Sequence, residues 1–296
     1  MQLSKREHIA LELLKTKNFS TKKSFKLADE FSISSLDVDH PISEDCDLKK
    51  IWQWADEFNI PESEIPRNKD QLLSMSHLQI LRDYDGNSRC LTYLPEAIGI
   101  LVNLKQIHLL NHELTKLPDS IGNLKKLMFI SVDRNNLTEL PDSICKLRKL
   151  QVLTATRNSL IKLPNEIGSL MSLQLIELAG NKLNKLPSSI THLTELEILD
   201  IRWNRLTELP DTIGQLSELQ ELHIEENFLT NLPDSIGELS YLEEIHFDNN
   251  HITRVPEGIC NLKRINTLVL DNSIFENSSN SVKGFLNGIE SFEKKL

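Results

Sequence analysis

The sequence is poor in cysteine, with four in 296 residues, and it has no Cys-x-x-Cys pair of the kind that binds zinc or carries redox chemistry. Cys145 and Cys260 lie at one position of a 23-residue period, five periods apart. At about 4.8 Å per period they would be roughly 24 Å from each other, too far for a disulfide. We therefore expect free thiols, with these two as small buried residues, in a protein that folds in a reducing compartment.

Long apolar runs are also missing. No stretch approaches the roughly 18 consecutive apolar residues that a membrane span needs. Residues 1–17 contain no uninterrupted apolar core, so we do not expect a secretory signal peptide. Acidic residues outnumber basic ones by 43 to 33, for a net charge of −10. This excess argues against nucleic acid or an anionic membrane surface as the main partner, and the predicted localisation is cytoplasmic.

Common catalytic motifs are absent as well. The sequence has no G-x-x-x-x-G-K-[ST], no G-x-G-x-x-G, no G-x-S-x-G and no H-E-x-x-H. We therefore predict that the protein is not an enzyme and uses no cofactor.

A strict repeat occupies most of the chain. Eight of the eleven prolines follow one another at intervals of 23 residues: Pro95, Pro118, Pro141, Pro164, Pro187, Pro210, Pro233 and Pro256. Each is followed three residues later by Ile, and L-x-x-L-x-L-x-x-N-x-L runs between them, as from Leu173 to Leu183. One such unit cannot bury its own apolar stripe, so the repeat predicts a stacked array.

Each part of the unit has its own structural preference. The L-x-L alternation indicates a short strand whose Leu and Ile side chains face inward. A proline presets the backbone for a helical turn, and Ile and Leu at three-residue steps then return to the core. One position after the strand is asparagine in six copies, and stacked amides there can hydrogen-bond the backbone of neighbouring turns. These are Asn135, Asn158, Asn181, Asn204, Asn227 and Asn250.

This array, from Leu91 to Leu270, resembles leucine-rich repeats of the 23-residue, Ras-suppressor-like type with the signature L-P-x-x-I-G-x-L. The resemblance implies an α/β fold, a right-handed solenoid with a concave parallel β-sheet and short helical or 3-10 turns on the convex side. It also implies a monomeric, non-enzymatic module that binds a protein partner. Similar bacterial arrays include effectors, so a host protein reached by a non-Sec route is a candidate partner. His112 and Ser273 depart from the asparagine position in the terminal copies.

The repeat divides the chain into three regions. Residues 1–74 are predicted to be helical, with an amphipathic helix from Leu48 to Phe58 that caps the first edge of the array. Residues 75–270 hold one degenerate and about eight regular repeats. Residues 271–296 are predicted to form a helix that either docks on the last repeat or folds on a partner. Trp54 lies off the apolar stripe of the first helix, either as a half-buried cap residue or as a partner contact.

Two segments outside the regular repeats are weaker candidates for function. The basic segment from Lys15 to Lys26 is either a solvated surface or a weak electrostatic contact or delivery signal. A capping box at Ser4 and Glu7 precedes it. An insertion at 83–88 maps to a surface loop, where binding residues often collect.

The variable strand positions are predicted to line the concave face, and their composition divides it. An apolar strip bordered by Arg and Trp lies beside an acidic patch, as in the anchors and charged rim of a protein interface. The predicted partner-binding residues are Phe129, Arg134, Val152, Arg157, Leu175, Ile198, Arg202, Trp203, Glu225 and Asp248. The alternative for the aliphatic members is lateral packing between stacked strands.

Two histidines, His223 and His246, occupy one position in adjacent repeats, roughly 5 Å apart, among acidic residues. A metal ion such as Zn²⁺, or catalysis at this acidic patch, is the alternative function. Carboxylates near a histidine more often only raise its pKa, so the sequence predicts no metal here.

Overall fold

Parallel pairing of short strands organises the fold. The computed structural model describes residues 44–80, 82 and 90–295, where ten strands form one open sheet in sequential order. They are β1 His77–Gln79, β2 Gln106–His108, β3 Phe129–Ser131, β4 Val152–Thr154, β5 Leu175–Glu177, β6 Ile198–Asp200, β7 Glu221–His223, β8 Glu244–His246, β9 Thr267–Asp271 and β10 Ser291–Lys295. The capping box at Ser4 and Glu7, the basic segment and the 83–88 insertion lie outside the described residues.

The register of the sheet places equivalent residues of every repeat side by side. Between β5 and β6, Leu175 faces Ile198 and Ile176 faces Leu199. The second residue of each strand points toward the core, where Ile176 and Leu199 are fully buried. Because side chains alternate along a strand, the first and third residues point away from the core. We call this outer surface the open face, which the sequence predicts to be concave.

Eight short 3-10 helices return the chain on the other side of the core. They are Glu96–Ile100, Asp119–Asn123, Asp142–Lys146, Ile167–Ser169, Ser188–His192, Ile213–Gln215, Asp234–Glu238 and Glu257–Asn261 in the described chain. Proline precedes most of them as the N-cap, with φ from −71° at Pro95 to −65° at Pro187. Proline holds φ near this value in any context, so it starts each turn at little entropic cost.

A ladder of asparagines ties neighbouring repeats together, as the sequence predicts. Asn135 Oδ1 accepts from the Leu114 N–H at 3.0 Å, and its Nδ2 donates to the Leu109 carbonyl at 2.7 Å. The same pattern recurs down to Asn250. In the first copy His112 takes this role, with Nδ1 accepting from the Leu91 N–H and Nε2 donating to the Ile80 carbonyl. The ladder pairs backbone groups that no strand or helix would otherwise satisfy.

Within the described residues, two helices, α1 Glu44–Glu57 and α2 Lys69–Leu73, precede the first strand. Leu48, Ile51 and Ala55 of α1 are buried against the start of the array, which agrees with the predicted apolar stripe. Trp54 corrects the prediction, because it is fully buried and its Nε1 donates to the Tyr93 carbonyl at 3.0 Å. It lies three residues after Ile51 and therefore belongs to the buried face of the helix.

The C-terminal region differs from the single helix that its spacing predicts. It forms α3 Asn272–Asn277 and α4 Asn280–Leu286, and the chain then returns as β10 beside β9. Val282 and Leu286 of α4 are fully buried. Phe292, expected on a helix, lies in β10 instead and packs on Phe275 at 5.6 Å between ring centroids. A strand here satisfies the backbone groups along the edge of β9, which a helix could not do.

The four cysteines are free thiols in the described chain. Cys145 is buried, as expected, whereas Cys260 is only half-buried. Burial, with the charges of Asp142 and Glu166, raises the pKa of the Cys145 thiol to about 11. Among the described residues, no helix has the length and apolar character to cross a membrane.

Candidate functional site

The aliphatic part of the predicted binding strip is not available on the open face. Val152 is 3% exposed, Leu175 is 4% exposed and Ile198 is fully buried. They lie in one row across β4, β5 and β6, where each packs against its neighbours. Their burial corrects the prediction of an exposed apolar strip and agrees with the alternative, lateral packing between stacked strands.

Phe129 is the member of this row that keeps an accessible surface, since it is only half-buried. Its ring stacks on His108 of the neighbouring strand, with centroids 4.5 Å apart and an interplanar angle of 27°. This contact holds the Phe129 ring in place, so an aromatic surface is accessible on the open face near β2 and β3.

The residues that follow the strands form a projecting edge, which we call the turn rim. It consists of Asn111, Arg134, Arg157, Gly180, Trp203, Glu226 and Asn249, all of which have positive φ. The backbone N–H of each donates to the next repeat, for example from Arg157 to the Ala179 carbonyl at 2.8 Å. A left-handed conformation costs a non-glycine residue about 1–2 kcal/mol, and the inter-repeat hydrogen bond offsets part of this cost.

Three predicted site residues lie on the turn rim and are exposed. Arg134 and Arg157 extend from adjacent repeats, and Trp203 is 49% exposed. Gly180 separates the two arginines from the tryptophan. The rim therefore presents two cations and one large aromatic ring along a single line.

Arg202 does not stand free beside Trp203. Its Nε lies 3.3 Å from Asp200 Oδ2 and its Nη1 lies 3.4 Å from Glu225 Oε1. The guanidinium also sits 5.3 Å from the Trp203 ring centroid, a cation–π contact. Arg202 thus links two repeats and contacts the tryptophan ring. Its positive charge is largely neutralised by Asp200 and Glu225.

Two predicted acidic contact residues are buried. Asp248 is fully buried, with its Oδ2 2.8 Å from Lys295 Nζ and 2.8 Å from Asn249 Nδ2. Glu225 is 8% exposed and pairs with Arg202. They do not present an acidic surface as the sequence predicts. Asp248 is covered because β10 brings Lys295 across it, and the sequence places that residue in a helix.

Sequence reasoning missed Phe228, which is more exposed than Tyr93 and Tyr241, two other exposed aromatic residues that it did not single out. It is half-exposed in the repeat after Trp203, and its ring lies 5.6 Å from that of His251. The position directly after the ladder asparagine is Asn136, Ser159, Lys182 or Arg205 in preceding repeats. A phenylalanine in a column that is otherwise polar is the signal that could have identified it.

The structure brings the two predicted histidines together. His223 and His246 face each other across β7 and β8, with ring centroids 4.9 Å apart. Glu244 Oε1 lies 3.0 Å from His246 Nε2 and 3.9 Å from His223 Nε2. Burial lowers the pKa of His246, but Glu244 and the charges of Glu225 and Asp248 outweigh it and leave that pKa raised.

Comparison with known proteins places the repeat in a family. The sequence model described as leucine-rich repeat region matches residues 63–179, 157–224 and 198–291. No curated protein matches the chain in sequence.

Several solved structures resemble the fold. An internalin C2 from Listeria monocytogenes is 21% identical, over 75% of this chain and 96% of that one, with a TM-score of 0.60. The ectodomain of the plant membrane receptor kinase GASSHO1/SCHENGEN3 from Arabidopsis thaliana, in complex with CASPARIAN STRIP INTEGRITY FACTOR 2, is 24% identical. That match has a TM-score of 0.56 and covers 69% of this chain but 31% of the ectodomain. A leucine-rich repeat protein from Leptospira interrogans is 27% identical over 78% of this chain and 75% of that one, with a TM-score of 0.42.

Proposed function

Because the chain belongs to the leucine-rich repeat family, we propose that it is a non-enzymatic module that binds a partner protein through the turn rim and the adjoining open face. Proteins of this family are generally non-enzymatic and bind protein partners. The observation that carries the proposal is the half-exposed Trp203, held in place by Arg202. Trp203 shares the turn rim with the exposed Arg134 and Arg157, and aromatic residues and arginine are enriched in protein interfaces relative to the rest of the surface.

Trp203 has the properties of an interface anchor. Tryptophan and arginine are enriched among the few residues that carry most of the binding energy in protein interfaces. The backbone of Trp203 is held by its N–H bond to the Glu225 carbonyl at 3.1 Å, and Arg202 contacts its ring. Since the ring is already ordered, binding would lose little side-chain entropy there.

Charge along the turn rim indicates the chemistry of the partner. Arg134 and Arg157 are exposed on one side of Trp203, and Glu226 is exposed on the other. A complementary partner would place acidic groups over the two arginines, an apolar pocket or aromatic group over Trp203, and a basic group near Glu226. Phe228 and Phe129 add apolar contact area on the two sides.

The identity of the partner extends this proposal. We propose that the partner is a host protein and that the chain acts as a monomeric effector delivered by a non-Sec route. The support is the resemblance to compact bacterial repeat arrays. The similar plant ectodomain, solved in complex with CASPARIAN STRIP INTEGRITY FACTOR 2, is an example of a ligand complex on this fold.

A pair of double variants tests the turn rim. Trp203→Ala with Arg157→Glu removes the anchor and reverses one charge. The matched control, Met171→Ala with Lys149→Glu, changes two exposed residues of the same kinds on the turns that lead into the strands. Immobilised wild-type protein and both variants would be exposed to host-cell lysate, and captured proteins would be quantified by mass spectrometry and then purified for affinity measurement.

We expect to find a partner that binds the wild type and the control with equal affinity. It should bind the rim variant at least about 30-fold more weakly, because interface anchors contribute about 2–4 kcal/mol. If every captured protein binds the rim variant with unchanged affinity, the turn rim is not the binding surface.

A further inference from the structure

We propose that His223, Glu244 and His246 form a binding site for a divalent transition metal ion, represented by Zn²⁺, on the open face of the sheet. The three side chains come from two adjacent strands in register, with His223 directly opposite His246. One ligand atom from each lies within 4.8 Å of the other two. Two imidazoles and one carboxylate make a ligand set that zinc uses in proteins.

The distances between these atoms are close to those that a bound ion requires. Ligand atoms around a tetrahedral Zn²⁺ are roughly 3.3 Å apart, given metal–ligand bonds of about 2.0–2.1 Å. Here Glu244 Oε1 lies 3.0 Å from His246 Nε2 and 3.9 Å from His223 Nε2. Glu244 and His246 are partly exposed. Rotation of these two side chains would expose the buried His246 Nε2 to an entering ion and bring the three ligand atoms, which lie within 4.8 Å of one another, closer together.

Both histidines contact a carboxylate through Nε2, the nitrogen that would bind the ion. His246 Nε2 lies 3.0 Å from Glu244 Oε1, the contact of an ion pair when the histidine is protonated. His223 is only 5% exposed, and its Nε2 lies 3.4 Å from Glu221 Oε2.

Two buried carboxylates follow the histidines two residues along the chain, Glu225 after His223 and Asp248 after His246. Glu225 Oε2 and Asp248 Oδ1 make no hydrogen bond to the described residues. Lys295 and Arg202 each contact one of them, but each does so through the other carboxylate oxygen. A dication beside His246 would lower the electrostatic cost of this buried charge.

The ligand set also favours one class of ion. Imidazole suits Zn²⁺ and its first-row neighbours, whereas Ca²⁺ and Mg²⁺ prefer sets made only of oxygen atoms. We therefore expect Zn²⁺ to bind and Mg²⁺ and Ca²⁺ not to compete with it.

The test is calorimetric titration of the full chain with ZnCl₂ at pH 8, after removal of metal with EDTA. We expect a site with micromolar or tighter affinity that millimolar Mg²⁺ does not displace. His246→Asn and Glu244→Gln should each weaken binding at least 10-fold. His108→Asn is the matched control, because His108 lies in β2 at the position equivalent to His223 and His246.

Two further readouts separate a lost ligand from a disturbed fold. Zn²⁺ should raise the thermal unfolding midpoint of the wild type and of His108→Asn, but not that of His246→Asn. Co²⁺ in place of Zn²⁺ should give the visible absorption of a tetrahedral nitrogen and oxygen site in the wild type and in His108→Asn, but in neither ligand variant. The proposal would be overturned if no binding occurs at 1 mM Zn²⁺, roughly the weakest affinity of interest. It would also be overturned if the wild type and both ligand variants bind Zn²⁺ with equal affinity.

Discussion

Replacement of one ladder asparagine should show how much a single buried amide contributes to this solenoid. Asn135→Ala removes the acceptor of the Leu114 N–H and the donor to the Leu109 carbonyl. The Val132 carbonyl also loses Asn135, but it keeps a second donor, Asn158 Nδ2, at 3.0 Å. Two buried backbone groups are therefore left without these partners.

The expected cost follows from those two groups. An unsatisfied buried donor or acceptor costs about 1–3 kcal/mol, so Asn135→Ala should lower the free energy of unfolding by roughly 2–6 kcal/mol. The neighbouring Asn136 offers a matched control, since its side chain is exposed. Asn136→Ala should change the stability by at most about 0.5 kcal/mol, as is usual for surface positions.

Urea unfolding followed by two probes measures the difference. Far-ultraviolet circular dichroism reports on the whole array. Tryptophan fluorescence reports on Trp52 and Trp54 in α1 and on Trp203 in the fifth regular repeat. A solenoid can unfold in parts when one interface weakens, so disagreement between the probes would itself locate the damage. Equal stability of Asn135→Ala and Asn136→Ala would refute the idea that the ladder amides hold neighbouring repeats together.

Two further predictions concern packing between repeats. A Cβ at Gly168 would lie 1.9 Å from the Ser189 carbonyl oxygen, so Gly168→Ala should cost about 1–3 kcal/mol in urea unfolding. Gly180→Ala should cost only about 1 kcal/mol, because the φ of +71° is unfavourable for alanine but the atom nearest to the new Cβ is 3.5 Å away. A larger loss of stability in Gly180→Ala than in Gly168→Ala would contradict this reasoning. Because the Cys145 thiol is buried with a pKa of about 11, iodoacetamide at pH 8 should modify the exposed Cys46 and leave Cys145 unmodified until urea is added. Peptide mass spectrometry checks this, and equal labelling rates in the native protein would contradict it.

Most of the repeat architecture could be predicted because each repeat meets the same requirements. A strand, a proline-started turn and a ladder asparagine each follow from local chemistry, and the 23-residue period puts equivalent residues in register. The positions of Asn181 and Ile176 could therefore be assigned without coordinates. The ends of the array were harder to predict, since Trp54 and Phe292 have no equivalent in other repeats. Apolar residues at helical spacing there did not distinguish a helix from a strand that completes a sheet edge.

The candidate site was predicted less well, for a physical reason. Alternation along a strand predicted that Val152 points to the open face, but it could not show how far neighbouring strands cover it. Val152 is covered by the residues beside it in the sheet, whereas Trp203 projects from a left-handed turn beyond the sheet edge.

The period in the sequence determines by itself that this chain stacks into a solenoid and which residues share each row. Exposure depends on contacts between residues that are distant in the chain, and only the tertiary structure decides it. Asp248 shows the difference: Lys295 reaches it through β10, 47 residues further along the chain, and converts a predicted surface carboxylate into a buried ion pair.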